Sequence, residues 1–381
     1  MADHSAIEWT EATWNPLRGC SRVSAGCQRC YAERVAARFA GEGQPYEGLI
    51  HPSTRGWNGT VRLVPEVLTQ PLRWKRPRRI FVNSMSDLFH ESVPDAWIDQ
   101  IFAVMALAPQ HTFQILTKRA DRMYRYMEER RPEGWTEGYI RLLVDRPARA
   151  FPREFKRLPL NNNAAMPWPL PNIWLGVSVE NQAAADERIP ALLQTPAAVR
   201  WLSCEPLLGS VDLTSVAWPD KDGHRVDVLR GGYWNAEGYL ACGPSAALGA
   251  PRGGFTNHSD MKTIDWVVAG GESGPKARPM HPDWARSLRN QCAEDGADTP
   301  FFFKQWGEYV SAGQADIDLN DCYEHSREGG WVEPDGSSTM GEAAQPKSVG
   351  ASAHVFRLGK RLAGRLIDGV LHDAYPEVAH G

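Results

Sequence analysis

Short runs rich in β-branched and aromatic residues alternate along the chain with longer stretches whose apolar positions recur every three to four residues. The first kind predicts strands and the second amphipathic helices. Strands are expected at 79–83, 112–117, 173–179, 199–203, 264–269 and 300–305, with a weaker one at 14–18. Helices are expected between them, at 31–40, 96–108, 119–130, 181–193 and 282–295, with a last one at 360–370. A strand followed by a helix, repeated, implies parallel pairing, because each crossover returns the chain to the same end of the sheet. The class is therefore α/β, built either as a barrel or as an open sheet.

Three segments break the rhythm. Residues 131–171 are rich in proline, 217–262 in glycine, and 311–354 mix glycine, serine and acids. None carries a sustained apolar period, so all three read as irregular insertions. The expected organisation is a repeating unit over 1–310 with insertions at 131–171 and 217–262, an irregular insertion at 311–354, and a C-terminal helix in 355–381 packed on the repeating unit. With 381 residues, 42% of them hydrophobic, the chain has material for a full core. A net charge of −4 excludes a histone-like wrapper of nucleic acid. The longest apolar run, 101–108, falls short of the roughly 18 residues of a membrane span. The acidic first residues lack the pattern of a secretory signal.

Each strand from the second onward runs into a polar tip. The tips read Asn83-Ser84-Met85-Ser86-Asp87, Thr117-Lys118-Arg119, Ser178-Val179-Glu180-Asn181, Ser203-Cys204-Glu205-Pro206, Gly270-Gly271-Glu272-Ser273 and Lys304-Gln305-Trp306. Ligands of parallel α/β folds bind at the carboxyl ends of the strands. Singly, each cluster reads as a helix cap, a solvated pair or a turn; six in succession read as a binding rim. Asp87, Glu205 and Glu272 would suit a hydrolase with paired acids, but no positioned nucleophile or histidine pair accompanies them.

The cysteines change the picture most. There are seven, an odd number, and Cys20, Cys27 and Cys30 crowd together just after the first strand. That is a poor disulfide framework and a good ligand cluster, which points to a reducing, cytoplasmic setting. A Cys-x-x-Cys pair binds one centre from a single turn, and the third thiolate completes a three-sulfur face. Three ligands leave a position open. For zinc, His51 or Cys204 could close it, giving a metal-stabilised module that binds nucleic acid or protein without radical chemistry. For a cubane iron–sulfur cluster, the fourth iron stays free. Spacing alone leaves both open.

The flanking residues carry a resemblance. Asn15-Pro16-Leu17-Arg18-Gly19-Cys20, followed by Gly26-Cys27-Gln28-Arg29-Cys30-Tyr31-Ala32, resembles the cluster loop of radical S-adenosylmethionine enzymes of the spore-photoproduct-lyase-like branch. Ser86-Asp87, Thr117-Lys118, Ser178 and Glu180 match that branch after later strands, and most of the chain outside the three insertions resembles a phage-encoded and bacterial family of this type. The chain departs from the pattern in two places. Six residues separate Cys20 from Cys27 where the superfamily usually has three, and Arg29 stands where an aromatic often precedes the third cysteine, leaving Tyr31 to supply the ring.

The resemblance implies a partial (β/α)6–7 TIM-like barrel of parallel strands. Cys20, Cys27 and Cys30 would hold a [4Fe–4S] cluster that binds S-adenosyl-L-methionine, yielding a 5′-deoxyadenosyl radical that takes hydrogen from a substrate. Gly270-Gly271-Glu272 follows a late strand, so Asn83, Ser84, Ser86 and Asp87 take the place beside the cofactor's ammonium, with Tyr31, Lys118, Ser178 and Glu180 as further cofactor contacts. Glu205, Glu272 and Lys304 are substrate-side candidates, and no catalytic residue is assigned. A flavodoxin- or ferredoxin-like one-electron donor is implied, and an operon-encoded protein partner is open. So is nucleic acid, as a partner or, with its nucleobases, as the substrate. Of 15 tryptophans, Trp57, Trp74, Trp168, Trp218, Trp234 and Trp331 lie in less regular segments, and Arg73, Lys75, Arg76, Arg78 and Arg79 flank one of them. Exposed rings among cations could stack on bases, while the competing reading places them in the core.

Overall fold

The computed structural model describes residues 5–129, 168–219, 223–234, 240–242, 261–314, 318–326, 328–341, 343–348 and 350–377. Among them, seven strands build one sheet: β1 (Ala12–Trp14), β2 (Arg79–Val82), β3 (Thr112–Thr117), β4 (Ile173–Ser178), β5 (Val199–Cys204), β6 (Trp266–Gly270) and β7 (Phe301–Gln305). They lie in sequential order β1 to β7, with parallel pairing, as in a partial TIM-like barrel. Strands β4, β5 and β6 are buried at every position, as expected of a parallel sheet covered on both faces, and even the polar Ser178, Arg200 and Ser203 on them are drawn inside. Helices α1 (Tyr31–Arg38), α2 (Asp95–Ala106), α3 (Ala120–Glu129), α4 (Gln182–Gln194) and α5 (Pro282–Ala293) follow the strands within a few residues of their expected bounds. No helix among the described residues is long and apolar enough to cross a membrane.

The chain divides into two compact units, Met1–Val177 with Gln194–Val199 and Ser178–Leu193 with Arg200–Gly381. In the first, Trp14 packs 5.9 Å from Phe113, and its indole donates to Val67 O at 2.8 Å. Tyr126 of α3 sits 5.6 Å from Phe102 of α2 and donates its hydroxyl to Asp99 at 2.6 Å, so burying the ring leaves no polar atom unpaired. In the second, Trp266 lies between Trp201 and Tyr375 at 5.4 and 5.2 Å.

Four expectations change. The weak strand at 14–18 is two elements, because Asn15-Pro16 interrupts it: β1 ends at Trp14, and Leu17–Arg18 pairs antiparallel with Arg62–Leu63. Residues 311–354, expected to be irregular, contribute to a four-stranded antiparallel sheet formed by Tyr309–Ser311, Ala353–Arg357, Gly329–Val332 and Ser338–Met340, in that order. One glycine in it is there for close approach: a Cβ on Gly330 would lie 2.3 Å from Thr339 O. The helix expected at 360–370 is one turn, Lys360–Ala363, stopped by Gly364 at φ 74°, after which Leu366–Ile367 and Val370–Leu371 form a hairpin. Within 217–262, short strands Arg225–Asp227, Gly232–Trp234 and Leu240–Cys242 extend an antiparallel sheet begun by Val216–Ala217. Most of the 131–171 insertion lies outside the described residues, as do 243–260.

Candidate functional site

The cysteine loop is built by fastening the segment after β1 to the tip of β2. Asn15 Oδ1 accepts from Ser84 Oγ at 3.1 Å and Met85 N at 3.0 Å. Asn83 Oδ1 accepts from Leu17 N at 3.3 Å, and Ser86 Oγ donates to Leu17 O at 3.0 Å. Gly19, at φ 95°, forms a parallel bridge with Ser86, and a Cβ there would stand 2.0 Å from Thr60 O, so only glycine fits before Cys20. Asn83, Ser84 and Ser86 thus hold the loop's polypeptide. Asn83 keeps one group to spare: its Nδ2 is buried with no partner.

The six residues between Cys20 and Cys27 are pinned from three sides. Ser21 O and Oγ accept from Arg119 Nη2 at 3.2 and 2.9 Å. Ser21 Oγ also meets His90 Nε2 at 2.8 Å, while His90 Nδ1 accepts from Ser92 N at 3.1 Å. Burial lowers the His90 pKa, so the ring is neutral with its proton on Nε2, donating to Ser21. Arg22 Nε donates to Glu33 Oε1 at 3.1 Å, with a second contact from Nη2 to Oε2, and Glu33 Oε1 also accepts from Trp57 N at 2.8 Å. The loop closes in a single turn, Ala25–Cys27, and Cys30 caps α1, whose Ala32 and Ala36 pack with Ile50 and Met85. Tyr31, on the exposed side of that first turn, donates its hydroxyl to Ser84 O at 2.6 Å.

Cys20, Cys27 and Cys30 are free thiols, each half-buried. Burial, reinforced by Asp87, pushes the Cys20 thiol up to about 12, against the pull of the Arg119 guanidinium, whose Nη1 is 4.0 Å from Cys20 Sγ. Burial also raises the Cys30 thiol, opposed by the N–H groups of Glu33 and Ala32 at the start of α1 and by the charge of Lys118. Cys27 and Cys30 are both felt by Arg22. Three thiols therefore share their surroundings with three cations.

Asp87 is the hub beneath them. Its Oδ1 accepts from Thr117 Oγ1 at 2.7 Å and Phe89 N at 3.0 Å, and its Oδ2 from Arg119 Nη1 at 2.9 Å and Lys118 N at 3.2 Å. With both oxygens doubly engaged, Asp87 orients Arg119 and the tip of β3, and the ammonium-binding role expected of it has no free lone pair to use. Burial works against the Arg119 charge, yet Asp87, Cys20 and Glu91 together hold its pKa above the ordinary value.

In donor type the trio fits a thiolate-bound metal centre: three uncrosslinked sulfurs on one loop, beside cations that favour thiolates. As the side chains stand, no group of three or more His, Cys, Asp or Glu among the described residues is gathered to hold an ion. His51 is exposed and bonded to Ser53 Oγ at 3.0 Å. Cys204 is wholly buried at the end of β5, its thiol raised by burial and by Cys292 and Glu180.

The sequence-predicted residues of the second unit are closed into ion pairs. Glu180 Oε2 and Ser178 O both accept from Arg188 Nη1 at 2.8 Å. Glu205 meets Lys304 at 2.5 Å, and Glu272 is held by Arg278 through Oε1 at 2.5 Å and Oε2 at 2.9 Å. Gly270-Gly271 serves packing, since a Cβ on Gly271 would sit 1.8 Å from Trp306 O. Trp57, Trp168, Trp218 and Trp331 are half-buried, and Trp74 is half-buried with Arg78 5.0 Å over its ring. The side chain of Trp234 lies outside the described residues. Sequence reasoning missed Ser21, Arg22, Glu33, His90 and Glu91 as parts of the site; it placed Arg119 on the rim, in the tip Thr117-Lys118-Arg119, but gave it no role.

A family model described as a protein of unknown function, DUF5131, matches residues 4–376. The chain belongs to the DUF5131 family. No curated protein and no solved structure matches it.

Proposed function

We propose that the chain is a radical S-adenosylmethionine enzyme of a reducing cytoplasm, in which Cys20, Cys27 and Cys30 hold a [4Fe–4S] cluster. The observation that carries this reading is the trio itself: three free, half-buried thiols on a loop pinned by Ser21 and Arg22, each thiol within the field of a cation. When bound, the cluster and S-adenosyl-L-methionine supply a 5′-deoxyadenosyl radical that abstracts hydrogen from a substrate. Arg22, Lys118 and Arg119 offset the charge of the thiolates, and the first turn of α1 does the same at Cys30. Asn83 Nδ2, a buried donor with no partner, suits an acceptor on the cofactor, its carboxylate or ribose, while Asn83 Oδ1 is already spent on Leu17 N. Tyr31 braces the start of α1 against the β2 tip through Ser84 O. Nucleic acid is the substrate class favoured by the branch resemblance, and a flavodoxin- or ferredoxin-like protein is the electron donor.

Anaerobic reconstitution tests the reading. A coloured protein carrying iron and acid-labile sulfide, which releases 5′-deoxyadenosine on reduction with S-adenosyl-L-methionine present, is the expected result. A colourless chain that takes up stoichiometric zinc and no iron overturns it. Single-stranded DNA or RNA that suppresses uncoupled release of 5′-deoxyadenosine would support the substrate class, and indifference to both would overturn it.

A further inference from the structure

Arg119 is heavily engaged, and its engagement goes beyond pairing. Its side chain is 5% exposed and touches Asp87 Oδ2 at 2.9 Å, both Glu91 oxygens at 2.9 Å, Ser21 Oγ at 2.9 Å, Ser21 O at 3.2 Å and Cys20 Sγ at 4.0 Å. A neutral donor would serve to hold Ser21, and a buried guanidinium is costly to keep. Asp87 already has Thr117 Oγ1, Phe89 N and Lys118 N as donors. The planar fork adds a fixed positive charge with one N–H edge aimed at the first cysteine's sulfur and the other at the residue after it. Glu91 caps the Nε edge from the solvent side, its side chain 62% exposed.

We propose that Arg119 is a positioning residue that sets the reduction potential of the cysteine-held cluster, an inference that rests on the radical reading above. An N–H···S contact and a nearby cation stabilise the reduced, more negative state of an iron–sulfur centre and so raise its midpoint potential. Glu91 partly offsets that charge. The two residues therefore act in opposite directions on one quantity, which a purely structural role for either would not produce.

The test is a redox titration, followed by electron paramagnetic resonance, of full-length chain reconstituted anaerobically. Arg119→Gln is expected to lower the midpoint so that the reduced-to-oxidised ratio at fixed ambient potential falls about tenfold, about 59 mV for a one-electron couple. Arg119→Lys, which keeps the charge and loses the fork, is expected to recover part of that fall. Glu91→Gln, an exposed substitution that spares the fold, is expected to shift the midpoint upward. If Arg119→Gln fails to assemble a cluster, Glu91→Gln decides: an upward shift supports the role, and an unchanged midpoint overturns it. An iron-loaded wild type whose midpoint is the same in all variants overturns the role of Arg119 alone, whereas a wild type that binds no iron overturns the parent reading.

Discussion

At the tips of β1 to β3, Arg22, Lys118 and Arg119 each act on a cysteine, whereas at the tips of β4 to β7 Arg188 is closed on Glu180, Lys304 on Glu205 and Arg278 on Glu272. The second arrangement is what electrostatics favours by default, since a buried charge is tolerable when an opposite charge sits against it. The first keeps carboxylate partners for Arg22 and Arg119, yet their fields also reach the cysteines, where burial still pushes the Cys20 and Cys30 thiols up. Charge that is not wholly absorbed by its own ion pairs marks the place where a thiolate-bound centre can be stabilised. At the strand tips of the second unit these carboxylates are each closed on a cation, Glu180 on Arg188, Glu205 on Lys304 and Glu272 on Arg278.

The largest effect should come from breaking the trio. Cys27→Ala is expected to abolish iron and sulfide uptake on anaerobic reconstitution, while Cys292→Ala, a buried thiol of the second unit pushed up to about 12 by burial, should take up as much iron as wild type. Equal iron in the two variants would remove the distinction between the two regions. Next in size is the buried pair of the second unit. Arg188 and Glu180 side chains are 3% and 2% exposed, so Arg188→Met strands a carboxylate and should cost about 3–5 kcal/mol in urea unfolding. Adding Glu180→Gln to it should restore most of that loss without changing iron uptake; a loss of iron in the double variant would place Glu180 in the site.

The parts of this comparison that sequence could reveal are those written in local pattern. Residues 112–117 form a strand as expected because Thr112, Phe113, Ile115 and Thr117 are β-branched or aromatic and fit a buried strand, and 282–293 form a helix because Pro282 opens it and His281 caps it. The three cysteines stood out by spacing and flanks. Partners distant along the chain did not: the bond from Arg119 to Ser21 spans 98 residues, and nothing in Thr117-Lys118-Arg119 says which cation turns toward a thiol. Nor did the pattern show that Glu180 and Glu272 pair with Arg188 and Arg278, which lie on the following helix and loop. Glycine misled in the other direction. Gly329-Gly330 reads as a loop, although what Gly330 permits is a strand packed against Thr339 O.

A smaller effect concerns acid. His111 is 1% exposed and its Nε2 faces Pro71 O at 3.1 Å, so a charged ring would be held away from water, a cost that the carbonyls of Pro71 and Trp74 only partly offset. Burial lowers its pKa below the ordinary 6.5, and His90 behaves likewise. The unfolded chain thus binds protons more readily, and the stability these neutral rings contribute is complete above that ordinary value and is lost as pH falls through it toward the folded-state values. Thermal melts should fall between pH 7 and 5, and His111→Gln should flatten that slope more than His354→Gln, whose ring is only half-buried against Trp331. Equal flattening would mean that burial does not govern the response.

The smallest effect belongs to Asp368, where the second unit's pairing reaches the surface. Its carboxylate accepts from Arg286 Nη2 at 2.7 Å, Arg289 Nη1 at 2.8 Å and Gln314 Nε2 at 2.7 Å, and these bonds, Arg286 first, hold its pKa well below the usual carboxylate range. The side chain is 38% exposed, so water and salt screen most of that field and the net contribution should not exceed about 1 kcal/mol. Asp368→Asn isolates the charge, because asparagine also tolerates the left-handed backbone at φ 52°. The carboxylate's contribution is present above its ordinary pKa and is lost as pH falls toward the depressed one, so the variant should match wild type in strong acid and be slightly weaker near neutrality. That gap should shrink at high salt, which the Arg188–Glu180 gap should not. If both gaps shrink alike, the second unit's pairs are all surface pairs in energetic terms, and the contrast with the cysteine-facing cations rests on geometry alone.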